Sequence, residues 1–163
     1  MGKYEIPADQ ILAALDIPHI HYQLSTEEET DSYLTEERKQ WIRGVGEVFE
    51  FNNEFYTGMQ IADYLLNNND RHEQNWGFLM DNVTGKLTGY CPLFDHDHAF
   101  SAYENIPSQM TEFTSTLKEA AREAWDQLHM DLRALDEMDR PELLSDQQWR
   151  DVLRRKEELE CGL

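Results

Sequence analysis

Two stretches decide how this chain reads: Asn68-Asn69-Asp70-Arg71-His72-Glu73-Gln74-Asn75-Trp76-Gly77-Phe78-Leu79, and Leu93-Phe94-Asp95-His96-Asp97-His98-Ala99-Phe100. The first offers a carboxylate, Asp70, and five positions later a side-chain amide, Asn75. Between the two stretches, Trp76 to Met80 predicts a strand, Asp81 to Lys86 a hairpin turn, and Leu87 to Phe94 the returning strand. A strand-turn-strand brings the chain back to its starting point, so a second carboxylate, Asp95, arrives beside the first loop. Magnesium takes hard oxygen ligands, typically carboxylates, amides and waters. Phosphoryl transfer needs such a cation on the phosphates and a carboxylate to orient the attacking hydroxyl, and little covalent help besides. Asp70, Asn75 and Asp95 are residues of those types.

Upstream, Val48, Phe51, Phe55, Met59, Ala62 and Leu66 recur at steps of three and four, which predicts an amphipathic helix over 48–66. It stops at Asn67-Asn68-Asn69-Asp70, residue types that favour turns over helix interiors. Further out, Pro7 starts a short predicted helix running to Leu15 and ending at Ile17-Pro18. His19 to Leu24 alternates polar with apolar residues like a half-buried strand. Thr26 to Asp31 is an acidic loop, and Thr35-Glu36-Glu37 opens a helix that Gly44 and Gly46 close. Downstream of Ser108 a stripe of Phe113, Leu117, Ala120, Ala124, Leu128 and Leu135 predicts helix packed on a core. After a break at Pro141, Ser145 caps a last helix bearing Trp149, Val152, Leu153 and Lys156.

The run Asp70-Arg71-His72-x-x-Asn75, followed by a hairpin and Phe94-Asp95, resembles the catalytic and metal-binding loops of HipA-like serine/threonine kinases. It is also similar to the matching loops of phosphatidylinositol kinases; the short hairpin and the apolar-Phe-Asp favour the HipA-like group. The resemblance implies Asp70 as catalytic base and Asn75 and Asp95 as magnesium ligands, with Asp95 in the part of the Asp of the kinase Asp-Phe-Gly motif. Arg71 and His72 would support the loop. It also implies ATP as phosphate donor and a Ser/Thr or small-molecule hydroxyl as acceptor. Ile11 to Tyr22 resembles the end of the family's regulatory helix and the strand after it, with Glu5 near the glutamate that pairs with the ATP-binding lysine.

The expected fold is therefore mainly α (α+β): a protein-kinase-like C-terminal lobe with a small β-hairpin and its N-terminal lobe largely missing. Residues 1–26 would be a remnant of the N-lobe helix and strand, 47–107 the catalytic and metal loops, and 108–163 the C-terminal helices of one domain. The chain departs from the family in having no G-x-G-x-x-G and no convincing strand lysine, Lys3 lying too close to Glu5, and in placing Asp97 where the kinase motif has glycine. It reads as a kinase fragment or truncated kinase, or as an inactive kinase-derived module that binds a protein partner.

Composition fits that reading. With 163 residues, 40% of them hydrophobic and 11% aromatic, the chain can bury a core. A formal charge of −19 repels a polyphosphate backbone, which argues against nucleic-acid binding. No apolar run reaches membrane-spanning length and residues 1–5 lack a signal-peptide core, so a soluble cytoplasmic protein is expected. Cys91 is expected to be a buried thiol and Cys161 an exposed one. A competing chemistry remains. If residues 95–98 are a strand, His96 and His98 share a face and, with His72, would ligate zinc in a metal-dependent hydrolase.

Overall fold

A computed structural model describes residues 3–20, 53–72, 74–102 and 116–162. The expected helix after Thr35, the strand beyond Ile20, and Val48, Phe51 and Phe113 lie outside the described residues. Within them, five helices and one antiparallel hairpin gather around a continuous buried cluster running from Ala8 to Leu159. The class is mainly α with a small sheet, as expected.

Helix α1 spans Glu5–Ala14 and buries Pro7, Ala8, Ile11 and Leu12. It begins two residues before Pro7, which corrects the expected start. Proline lacks only an N–H that the first turn leaves unbonded in any case, so Pro7 fits the third helical position as well as the first. The shift puts Glu5 inside the helix and buries it. Asp16, with φ +55°, ends α1 in a left-handed cap, and Pro18 to Ile20 then pair with Leu93. Leu93 N–H donates to the Pro18 carbonyl at 2.9 Å and Ile20 N–H to the Leu93 carbonyl at 2.8 Å. A parallel bridge thus joins the end of α1 to the residues just before Asp95.

Helix α2, Asn53–Leu66, is the buried axis of the molecule. Asn67, at φ +49°, takes the left-handed position that stops it, and asparagine is among the few residues that tolerate that conformation. Strands β1, Phe78–Met80, and β2, Leu87–Tyr90, form the hairpin. Both are shorter than the sequence predicts: Trp76, Gly77 and residues 91–94 are loop, except for the Leu93 bridge. Asp81 Oδ1 accepts from the N–H groups of Val83 and Thr84 at 2.8 and 2.7 Å and shapes the turn. Phe55 of α2 stacks on Tyr90 with ring centroids 4.3 Å apart, and Trp76 packs edge-on against Tyr56 and Phe78. These rings fasten the hairpin to α2 and fix the loop between them.

Helix α3, Leu117–Gln127, opens with a capping box between Thr116 and Glu119 and packs on α2. The predicted stripe does not continue unbroken, because residues 128–133 separate α3 from the short α4, Ala134–Glu137. Helix α5, Asp146–Cys161, opens with a second capping box, Ser145 with Gln148, as the sequence suggested for Ser145. Its Glu158 joins three elements. It accepts from Tyr64 Oη of α2 at 2.7 Å and from Lys118 Nζ of α3 at 2.8 Å, and pairs with Arg154. Lys156 is buried rather than lining an apolar stripe, and its ammonium reaches Asp136 and Glu160 at 3.0 and 2.8 Å. Cys91 is half-buried, more open than expected, and Cys161 is exposed. No helix among the described residues is long and apolar enough to cross a membrane.

Candidate functional site

Asp63 lies on the buried face of α2 and is 3% exposed. A carboxylate there needs a cation, and Arg71 is the one Lys or Arg between Arg43 and Lys86. The guanidinium grips Asp63 as a fork, Nε to Oδ2 at 3.1 Å and Nη2 to Oδ1 at 3.0 Å. Its remaining nitrogen, Nη1, donates to the Asn75 carbonyl at 2.8 Å and to the Phe94 carbonyl at 2.6 Å. One side chain therefore holds the 70–75 loop and the segment entering Asp95 on the same anchor. Asn68 Nδ2 adds a bond to Asp63 Oδ1 at 3.1 Å.

Asp70 and Asn75 are joined directly, the Asn75 Nδ2 donating to the Asp70 carbonyl at 3.0 Å. With its nitrogen committed, the buried Asn75 side chain has its oxygen left to offer a cation. His72 Nδ1 accepts from the Gln74 N–H at 3.2 Å, consistent with a loop-supporting part. Asp95, half-buried, has φ +60°, a left-handed conformation uncommon outside glycine. Phe100, a bulky residue, also sits at φ +57°, so two unusual backbone positions bracket the segment.

The charges around Asp95 are mostly negative. Burial, then the charge and hydrogen bond of Asp97, then Glu5, push the Asp95 carboxyl above the usual range, while Arg71 opposes them. Glu5 is itself buried, and its Oε2 makes no hydrogen bond among the described residues. The nearest basic nitrogen is His96 Nδ1, 3.8 Å away. On the other side, His98 Nε2 lies 3.8 Å from Asp70 Oδ2 and 3.9 Å from Asp97 Oδ1. The loops carrying Asp70 and Asp95 are thus linked twice, through Arg71 at the Asn75 and Phe94 carbonyls and through His98, which lies near both Asp70 and Asp97.

The shared histidine face expected for zinc is not formed. Residues 95–98 are not a strand, and the His96 side chain is 1% exposed beside Glu5 while His98 is 60% exposed beside Asp70. Among the described residues no three His, Cys, Asp or Glu side chains cluster as a metal site. The pair expected for magnesium, Asn75 and Asp95, differs in kind: one amide and one carboxylate, which would leave the other positions to waters and phosphate. Its fit rests on the crowding at Asp95: a cation there would relieve the repulsion that Asp97 and Glu5 impose.

Beside Asp97 and His98 opens a cavity of about 600 Å³, walled also by Lys3, Tyr4, Ser101, Gln148 and Arg155. Asp70, Asn75 and Asp95 do not line it; His98, close to Asp70, and Asp97, close to Asp95, are its nearest approach to them. Sequence reasoning missed Asp63 and the double link. The signal for Asp63 was available, as an acid at a helix position facing the core with a single arginine close behind. Comparison with protein-family models, with curated proteins and with solved structures gave no match.

Proposed function

We propose that the chain is a kinase-like phosphotransferase lobe, in which Asp70 orients an acceptor hydroxyl and Asn75 and Asp95 hold magnesium on the phosphates of ATP. The observation that carries the reading is the three-way hold of Arg71 on Asp63, Asn75 and Phe94, which ties both loops to one buried anchor. When bound, the magnesium neutralises phosphate charge. The chain's own residues supply the rest. Asn75, fastened to the Asp70 backbone, presents its amide oxygen, and Asp95 presents a carboxylate whose neighbours favour an added cation. Asp70 accepts a hydrogen bond from the incoming hydroxyl and takes its proton as the hydroxyl oxygen bonds to the γ-phosphorus and the bond from that phosphorus to the bridging oxygen breaks, releasing ADP. His98 lies beside both Asp70 and Asp97, where its imidazole can steady the Asp70 carboxylate.

A second reading, a catalytically silent module on the same scaffold, is favoured by Asp97. Its contact with Asp95 makes the carboxyl harder to ionise, which weakens it as a ligand. Calorimetric titration of MgATP into the purified chain separates the two. Heat of binding that disappears in Asp95→Ala supports the phosphotransferase, and no heat with the intact chain supports the silent module.

A further inference from the structure

The cavity of about 600 Å³ beside Asp97 and His98 falls within the roughly 300–1,000 Å³ typical of ligand clefts. Three parts of the chain wall it: Lys3 and Tyr4 at the entry to α1, residues 97–102, and the first half of α5. Gln148 ties the three together. Its Nε2 donates to Tyr4 Oη at 3.1 Å and to the Phe100 carbonyl at 3.4 Å, and the Tyr4 and Phe100 rings pack edge-on, 5.6 Å apart. The wall carries charges of both signs in equal number, Lys3 and Arg155 against Asp97 and Asp151. The Asp97 side chain is 44% exposed and that of Asp151 31%, so both carboxylates are open to a ligand. Lys3 is exposed too, its ammonium 5.2 Å from the Tyr4 ring centroid and paired with no carboxylate among the described residues. Tyr4 Oη accepts from Gln148, which leaves its own proton to donate.

A wall balanced in this way selects against a ligand of one sign. Asp97 and Asp151 repel a phosphate ester, and Lys3 and Arg155 repel a polyamine. We propose that the cavity receives the phosphate acceptor, and that the acceptor is a free amino acid with a side-chain hydroxyl. Its carboxylate lies at Lys3 Nζ and the Tyr4 O–H, and its ammonium at Asp97. The hydroxyl then faces His98, whose Nε2 is 3.8 Å from Asp70 Oδ2. The acceptor role rests on the phosphotransferase reading. In that transfer the hydroxyl oxygen bonds to the γ-phosphorus, the bond from that phosphorus to the bridging oxygen breaks to release ADP, and the proton passes to Asp70. The product is the O-phosphorylated amino acid. A serine inside a polypeptide carries neither charge on its backbone, so the same wall disfavours it. The proposal also gives a part to Asp97, which stands where the kinase motif has glycine and whose charge otherwise only weakens Asp95 as a magnesium ligand.

The test is titration of the 163-residue chain, without nucleotide, with L-serine, L-threonine and L-homoserine. It is read at the ¹⁵N–¹H signals of the Ser101 and Ala102 backbone amides, which line the cavity and which every variant keeps. At least one amino acid should give a saturable shift with a millimolar or tighter constant. Its N-acetyl and carboxamide forms, each lacking one charge, should bind about tenfold more weakly. Asp97→Asn should cost the free amino acid about tenfold and the N-acetyl form nothing. Lys3→Met should cost about threefold, less because Lys3 is exposed. No saturable shift with any of the three, or equal binding of the charged and blocked forms, would overturn the proposal. So would binding indifferent to Asp97→Asn. Formation of the phosphorylated amino acid from MgATP is followed separately. Charge-dependent binding without transfer would sink the phosphotransferase reading and leave the ligand class standing; transfer to another hydroxyl compound, with no amino acid bound, would sink this proposal alone.

Discussion

Arg71 and Asp63 are a buried, two-point ion pair, and the arginine uses its spare nitrogen to clasp the carbonyls of Asn75 and Phe94. The pair is buried beside α2, with both side chains shielded from solvent. Its effect is positional: it converts the fixed place of α2 into a fixed place for two loops whose clasped carbonyls, at Asn75 and Phe94, stand 19 positions apart in sequence.

Breaking that pair should be costly. Arg71→Ala leaves Asp63 buried without its partner, which is expected to destabilise the chain by about 3–5 kcal/mol in urea denaturation. Arg71→Lys keeps the charge and loses the fork, so it should fall between the two. The double change Asp63→Leu with Arg71→Leu should cost less than Arg71→Ala alone, because no buried charge is left over.

Asp95 should oppose stability while serving function. Its carboxyl titrates above the usual range in the folded chain, so the folded state holds that proton more tightly than the unfolded state does. Stability from this group is fully present below the unfolded value and is lost as pH rises through the folded one. Asp95→Asn should therefore raise the melting temperature at pH 7, an advantage that disappears in acid where wild type is protonated too. Calorimetric affinity for MgATP should fall as pH drops through the same raised value, and should be absent in the variant.

Glu158 titrates in the opposite sense. Burial is the largest influence on it and pushes the carboxyl up, but Lys118, Tyr64 and Arg154 together outweigh burial and hold it down to about 2. The stability it gives is present above the ordinary glutamate range and is lost as pH falls toward 2. Glu158→Gln should cost about 1–2 kcal/mol at neutral pH, the lower part of the range for charged hydrogen bonds because the cluster is partly exposed. The gap to wild type should close in denaturation curves measured near pH 2.

Ser145 should matter through its cap alone. Its hydroxyl accepts from the Gln148 N–H at 3.3 Å in the capping box that opens α5. Ser145→Ala is expected to lower stability by about 1 kcal/mol, and Ser145→Asp, which can accept the same bond, to restore most of it.

The sequence was most legible where local chemistry decides the backbone. The apolar spacing toward Leu66 announced α2, the asparagines marked its end, Ser145 marked the start of α5, and Asp81 to Lys86 marked the turn. Misplaced boundaries have local causes. Pro7 is compatible with several first-turn positions, and Trp76 looks like a strand residue although its ring packs on Tyr56 of α2 and on Phe78. The histidines at 96 and 98 looked alike in sequence, yet a left-handed turn at Asp95 sends one inward and the other to the surface.

The proposal that Asn75 and Asp95 hold one cation, with Asp70 beside it, is tested most directly by paramagnetic broadening. Manganese replaces magnesium on the same hard oxygen ligands, so Mn²⁺ added with ATP should broaden the amide signals of Asp70, the Asn75 side chain and Asp95 together, at one common concentration. Broadening confined to one of the two loops, or none at either, would contradict the account.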